Sequence, residues 1–221
     1  MNPSNQAEFV VAMASGSIAH TKNRGDTLEK FSLDSLGVTD VITAMDWSTD
    51  GSYLYMGSQS SKIISCQVPI SILNCERFSD VPSSFTLQYM AVDPTNPFNV
   101  VLTTGNDYGS NFEVWSSQDG GSTWSDITTE GSSVDLTYNG FAITWIYEDI
   151  GSSFIVVGTS HGVYLHNESS NWVLLAENLP NVRVYDMIYD KTDDLLIVST
   201  LGRGIWYLEN AYQSALDTWK S

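Results

Sequence analysis

Apolar and polar residues alternate along most of the chain, and short β-branched runs recur between clusters of Gly, Ser, Asn and Asp. A period of two predicts strands joined by tight turns, and helical periodicity is nearly absent. The clearest unit is an apolar strand ending on a small residue, then a Gly-rich turn, then another apolar strand. It occurs as Phe9-Val10-Val11-Ala12-Met13-Ala14, Tyr53-Leu54-Tyr55-Met56-Gly57, Val100-Val101-Leu102-Thr103-Thr104, Phe154-Ile155-Val156-Val157-Gly158 and Leu195-Leu196-Ile197-Val198-Ser199. Aligning Ala12, Gly57, Leu102, Gly158 and Ser199 gives spacings of 45, 45, 56 and 41 residues. Another strand precedes four of the five copies, at 41–47, 87–92, 141–147 and 184–189, and a third follows at 62–66, 112–116, 163–166 and 204–208.

Four short antiparallel strands per repeat of roughly 40–50 residues is the spacing of propeller blades. The strands of a β-sandwich would not recur as such a cassette. The expected fold is therefore all-β: a single propeller domain over residues 1–221, about four and a half to five blades long, with blades at 1–36, 37–82, 83–134, 135–180 and 181–221. The segment from Asn2 to Val11 matches the one from Asp93 to Val101, which is a turn between first and second strands. The chain thus reads as opening inside a blade and as part of a larger propeller, with further blades or a partner chain covering its N-terminal edge. Residues 210–221 are expected to supply the fourth strand of the last blade.

A sharper motif runs through the repeats. Ser117-Gln118-Asp119-Gly120-Gly121-Ser122-Thr123-Trp124 fits Ser-x-Asp-x-Gly-x-Thr-Trp. A degenerate copy stands 96 residues earlier around Thr21, Asn23 and Gly25, and another 48 residues later, where Asn167, Ser169 and Trp172 fill the Asp, Gly and Trp slots. The copies keep one period and skip the cysteine-bearing blade. The pattern resembles the Asp-box, or bacterial neuraminidase repeat, of sialidases, xyloglucanases, sortilin-type receptors and photosystem II assembly factors. That resemblance implies a turn between the third and fourth strands at the propeller rim. The chemistry suits it: a short carboxylate caps turn N–H groups, Gly accepts positive φ and Trp packs between sheets. Gly202-Arg203-Gly204-Ile205-Trp206 near the end is also similar to the family.

Charge changes the picture of partners. The chain carries 26 acidic residues against nine basic ones, a formal net charge of −17. Such a surface repels nucleic-acid phosphates and anionic lipid heads, and no basic stripe offsets it. No apolar run approaches the ~20 residues that span a bilayer. Cys66 and Cys75 are separated by eight residues, which suits a disulfide across a local hairpin in an oxidising compartment; two unpaired thiols in a reducing one are the alternative. An extracellular or secretory-lumen setting is expected, although the N-terminus makes a poor signal peptide.

Catalytic machinery is sparse. A sialidase would need three arginines on the substrate carboxylate, yet of the four present Arg24 sits in a degenerate box and Arg77 beside Cys75, leaving Arg183 and Arg203. A xyloglucanase pairs two aspartates across a cleft between two propellers; Asp40, Asp93, Asp149, Asp186 and Asp190 lie near first strands, but the chain is too short for two propellers. Photosystem assembly factors carry an arginine patch that this sequence does not obviously supply. The three histidines, His20, His161 and His166, show no metal-ligand spacing. No catalytic residue, metal site or cofactor is assigned. Asn167-Glu168-Ser169 fits an N-glycosylation acceptor, although Asn167 also fills a box slot.

The expected function is a non-catalytic propeller that binds or scaffolds a protein or glycan through a loop face. The alternative is a fragment of a xyloglucanase-like or sialidase-like glycoside hydrolase with an incomplete site. Turns between second and third strands share the face that usually binds ligands. They mark Asp107, Tyr108, His161 and Arg203 as contact candidates.

Overall fold

A computed structural model describes residues 1–14, 16–106, 112–128, 136, 140–149, 152–166, 171–175, 178–179 and 182–220. It is all-β, with one C-terminal helix. The first sheet contains β1 (Phe9–Met13), β2 (Ser17–Thr21) and β3 (Glu29–Ser32). The second contains β4 (Ile42–Trp47), β5 (Tyr53–Ser58), β6 (Ile63–Gln67) and β7 (Cys75–Arg77). The third contains β8 (Thr86–Val92), β9 (Val100–Gly105), β10 (Glu113–Ser117) and β11 (Ser125–Asp126). The fourth contains β12 (Gly140–Tyr147), β13 (Ser153–Thr159), β14 (Gly162–His166) and β15 (Trp172–Leu174). The fifth contains β16 (Val184–Asp190), β17 (Leu195–Thr200) and β18 (Gly204–Glu209), followed by α1 (Ala211–Trp219).

Strand order follows chain order in every sheet. Each sheet is therefore a meander, as expected where short turns join alternating strands. The first strands of the second, fourth and fifth sheets share a register shift, at 42–44, 140–142 and 184–186. The chain divides into two compact units, Met1–Val100 with Ser117–Trp124, and Val101–Ser116 with Ser125–Ser221.

In the first unit, Val10, Ile18, Leu33, Trp47, Leu54 and Met56 belong to one buried cluster. A Cβ on Gly57 would collide with the side chain of Leu87, so the small residue that ends β5 makes room for β8. In the second unit, Phe154, Val156 and Leu165 pack with Met187, Leu196 and Val198. Gly158 repeats the device there, with Val184 filling the space a Cβ would take. Here the repeated small residue is a packing requirement between sheets.

Residues 211–219 correct the expectation of a fourth strand in the last blade. They are helical, with Ala211 and Ala215 fully buried in the second unit's core and Tyr212, Leu216 and Trp219 packed around them. Positions 212, 216 and 219 fall on one helical face, and Ala, Gln and Leu are good helix formers. Phe154 receives both Tyr212 and Trp219, at ring-centroid distances of 5.5 and 5.7 Å.

Candidate functional site

Two kinds of turn recur, and each has its own chemistry. The turns before the last strand of the first and third sheets hold the motif found in the sequence. Ser117 Oγ accepts the Gly121 N–H at 2.8 Å, and Asp119 accepts both the Thr123 N–H at 2.8 Å and the Thr123 hydroxyl at 2.7 Å. In the first sheet Thr21 Oγ1 accepts the Gly25 N–H at 3.0 Å and Asn23 Oδ1 the Thr27 N–H at 3.0 Å. Gly121 and Gly25 have φ of 95° and 96°, which side chains rarely adopt. The hydrogen bonds from Thr123, backbone first, hold the Asp119 carboxyl below its usual range. Asn167 and Ser169 lie outside the described residues; Trp172, which follows them, is buried and donates its Nε1–H to Ile127 O at 2.8 Å. Trp124 is only half-buried, and its Nε1 has no partner among the described residues. Apart from Trp124 Nε1, the described polar groups of these turns are engaged in shaping a turn or filling a core.

The turns between second and third strands are tied by a hydroxyl at the end of the second strand. Ser58 Oγ accepts the Lys62 N–H at 3.3 Å; Thr159 Oγ1 donates to Gly162 O at 3.0 Å and accepts the His161 N–H at 3.0 Å; Thr200 Oγ1 donates to Gly204 O at 2.7 Å. The next residue is tied back to the carbonyl preceding the first strand. Gln59 N–H donates to Val41 O, and Leu201 N–H to Arg183 O. Asp40 adds a further anchor by accepting the Ser60 N–H at 2.7 Å. The turn backbone is consumed internally, while the tip side chains project. His161 and Arg203 are both exposed at such tips, with Ser160 Oγ 2.8 Å from His161 Nδ1. Asp107 and Tyr108, at the corresponding turn of the third sheet, lie outside the described residues.

The carboxylates near first strands are occupied in local structure. Asp93 is buried and accepts Thr95 N–H and Oγ1–H, each at 2.8 Å, and Asn99 Nδ2–H at 3.0 Å. Asp190 caps Thr192 N–H at 2.9 Å, Asp186 accepts the Met187 N–H at 2.9 Å, and Asp149 pairs with Lys191. Among the described residues no group of three or more His, Cys, Asp or Glu side chains is placed to hold a metal ion.

Two polar arrangements were not anticipated from the sequence. Asp46, on β4, accepts the Val92 N–H of β8 at 2.8 Å and the Trp47 N–H at 2.9 Å. Burial overrides those bonds and raises its carboxyl to about 6. Glu8, only 4% exposed, accepts from His20 Nε2 at 2.8 Å and from Asn2 Nδ2 at 2.9 Å. Asn2 and Ser4 also donate to the carbonyls of Gly51 and Asp50, so the turn before β1 clasps the turn between β4 and β5. Cys66 and Cys75 face each other across β6 and β7 and their sulfurs are bonded. His166 stands edge-on to Trp172, and burial pushes its imidazole below the usual range.

Comparison with known proteins gives a likeness of fold. No family model matches the sequence, and no curated protein does. Among solved structures, the chain is similar to the β-propeller domain of Cps50 (Swd1) from Myceliophteria thermophila, with a TM-score of 0.69 and 15% identity. The match covers 93% of this chain and 63% of that one, so this chain spans under two thirds of the propeller it resembles. The likeness is one of β-propeller fold, and each of the five sheets has the meander strand order of a blade. No helix among the described residues is long and apolar enough to cross a membrane.

Proposed function

We propose that the chain is a non-catalytic propeller module that recognises a protein or glycan through its turns between second and third strands. The supporting observation is the repeated anchoring of these turns, with a strand-end hydroxyl and a return bond to the preceding strand. Such turns hold their tips without help from the tip side chains, and preorganised tips lose little entropy on binding. His161 and Arg203 are the contact residues among the described part of that face, and the sequence adds Asp107 and Tyr108 as candidates. Kinship with Asp-box propellers is part of the same reading, supported by the matched bonds around Asp119 and Asn23. The bonded Cys66–Cys75 pair supports placement in an extracellular or secretory compartment.

A glycan array and a panel of fluorogenic glycosides, run on the protein and on a His161→Ala/Arg203→Ala variant, test the reading. Binding without turnover that weakens at least tenfold in the variant is expected. Turnover abolished by a single Asp→Asn change would make the chain a glycoside hydrolase.

A further inference from the structure

Among the described residues the fifth sheet ends at β18, whereas the second, third and fourth each carry a strand beyond the corresponding one. Cross-strand register shows what that strand does elsewhere. In the second sheet the row Leu54–Cys66 continues to Cys75, which is buried in the core shared with Val10 and Ile18. In the fourth sheet His166 continues to Trp172, which is buried with its indole on Ile127 O. In the fifth sheet the matching row, Leu196–Leu208, has no third member among the described residues, and Leu208 is half-buried against the second unit's core. Beside it runs a groove of about 380 Å³, lined by Val163, Leu175 and Leu179 on one side and Leu196, Val198 and Trp206 on the other.

The opposite face of this edge is also apolar. Ile205 is 73% and Tyr207 66% exposed, in register with Ser199 and Ile197, and Ile188 beyond Ile197 is 63% exposed. Asp186 continues the row of Ser199 and Ile205, and Asp190 the row of Leu195 and Glu209, the last residue of the edge strand. An unpaired backbone edge flanked by exposed apolar side chains is a template for strand addition unless charge or proline blunts it. β18 has no proline and a single charge, Glu209.

We infer that the β18 edge is a docking site for an extended basic peptide strand of a partner protein, with a large apolar side chain seated in the groove between β14 and β18. The ladder to β18 supplies register. The groove supplies the anchor position, as Trp172 and Cys75 do within this chain. Asp186, Asp190 and Glu209, on a molecule of net charge −17, select lysine or arginine at the alternating positions. The same charge disfavours pairing of the edge with a second copy.

The test uses the 221-residue chain and a fluorescent peptide of nine residues or so (a length set by strand size), alternating valine and lysine around a central tryptophan. Anisotropy reads affinity and amide hydrogen exchange reads the ladder. The lysine peptide is expected to bind at least tenfold more tightly than versions with glutamate for lysine, glycine for tryptophan, or alternate amides methylated. It should slow exchange at residues 204–209, and Trp206→Lys should weaken it at least tenfold with an unchanged melting midpoint. If Trp206→Lys does not fold, Ile205→Lys, at a mostly exposed side chain, takes its place. Equal affinity for the glutamate or methylated peptide, or protection elsewhere, overturns the proposal. Dimerisation that protects 204–209 without peptide also overturns it, by giving the edge to a second copy.

Discussion

The carboxylate of Asp46 accepts the backbone N–H of Val92 at 2.8 Å, joining the first strand of the second sheet to the first strand of the third. Its folded carboxyl titrates near 6 because burial outweighs the two N–H bonds, against an ordinary value of 3.8. Between those values the folded chain holds a proton that the unfolded chain has released. The contribution of this group is therefore present below about 4 and is lost as pH rises through about 6. At about 1.4 kcal/mol per pKa unit the ceiling is near 3 kcal/mol, reduced by the water contact Asp46 keeps. Urea unfolding of the protein and of Asp46→Asn from pH 4 to 7 should show a falling slope that the variant lacks. Equal slopes would remove Asp46 as its source.

Glu8 and His20 form a buried pair at the root of the first sheet. Removing Glu8 leaves His20 without this bond, and removing His20 leaves Glu8 with Asn2 alone; either loss costs about 3 kcal/mol, whereas removing both together costs much less than the sum. Glu8→Ala and His20→Phe, singly and together, should therefore be strongly non-additive in chemical denaturation. Additive losses would mean that the two side chains act separately.

The first-sheet turn departs from the third-sheet turn at six of eight positions, and two of the departures are unfavourable, Asn23 for Asp119 and Arg24 for Gly120. Arg24 sits at φ 59°, and a neutral amide accepts the Thr27 N–H less strongly than a carboxylate. Arg24→Gly and Asn23→Asp should each stabilise by about 0.5–1 kcal/mol at neutral pH. The Asn23→Asp gain should vanish as pH falls below about 4, since its carboxyl, like that of Asp119, would be held low by the turn. A thermal melt at pH 7 and pH 3 reads both effects.

Closing the short loop between Cys66 and Cys75 removes unfolded-state entropy worth about 2.5 kcal/mol. With Cys66 fully buried and Cys75 6% exposed, reductant reaches the bond only when the outer hairpin opens. Reduction in native buffer should lag far behind reduction in urea, and Cys66→Ala/Cys75→Ala should melt several degrees lower. Equally fast reduction in both conditions would contradict this burial.

Strands, turns and their repeat were legible because a period of two, a small residue every 40–56 positions and a box of fixed spacing are local signals. The helix at 211–219 was misread although Tyr212, Leu216 and Trp219 carry a helical period. The repeat supplied a prior for a strand, and tertiary docking of Ala211 and Ala215 decided otherwise. The buried role of Glu8 was invisible because its partners stand apart from it in the chain, His20 on β2 twelve residues later and Asn2 six residues earlier. Asp46 was hidden for the same reason, as its second acceptor bond reaches a residue 46 positions away. Of the candidate contacts, His161 and Arg203 were found by turn position alone; nothing in the sequence marked the exposure of Ile205 and Tyr207, since alternating apolar residues read as buried.

The hydroxyl-tied turns at Ser58, Thr159 and Thr200 separate shape from composition. Each tip's backbone is fixed by bonds that none of its projecting side chains makes. Residues such as Ser60, His161 and Arg203 can therefore be exchanged without repacking a core. For drift or a designed library, these tips are interchangeable cartridges on a fixed mount. On the proposed reading, new ligand preference is acquired there by substitution alone, while the meander sheets beneath hold the fold.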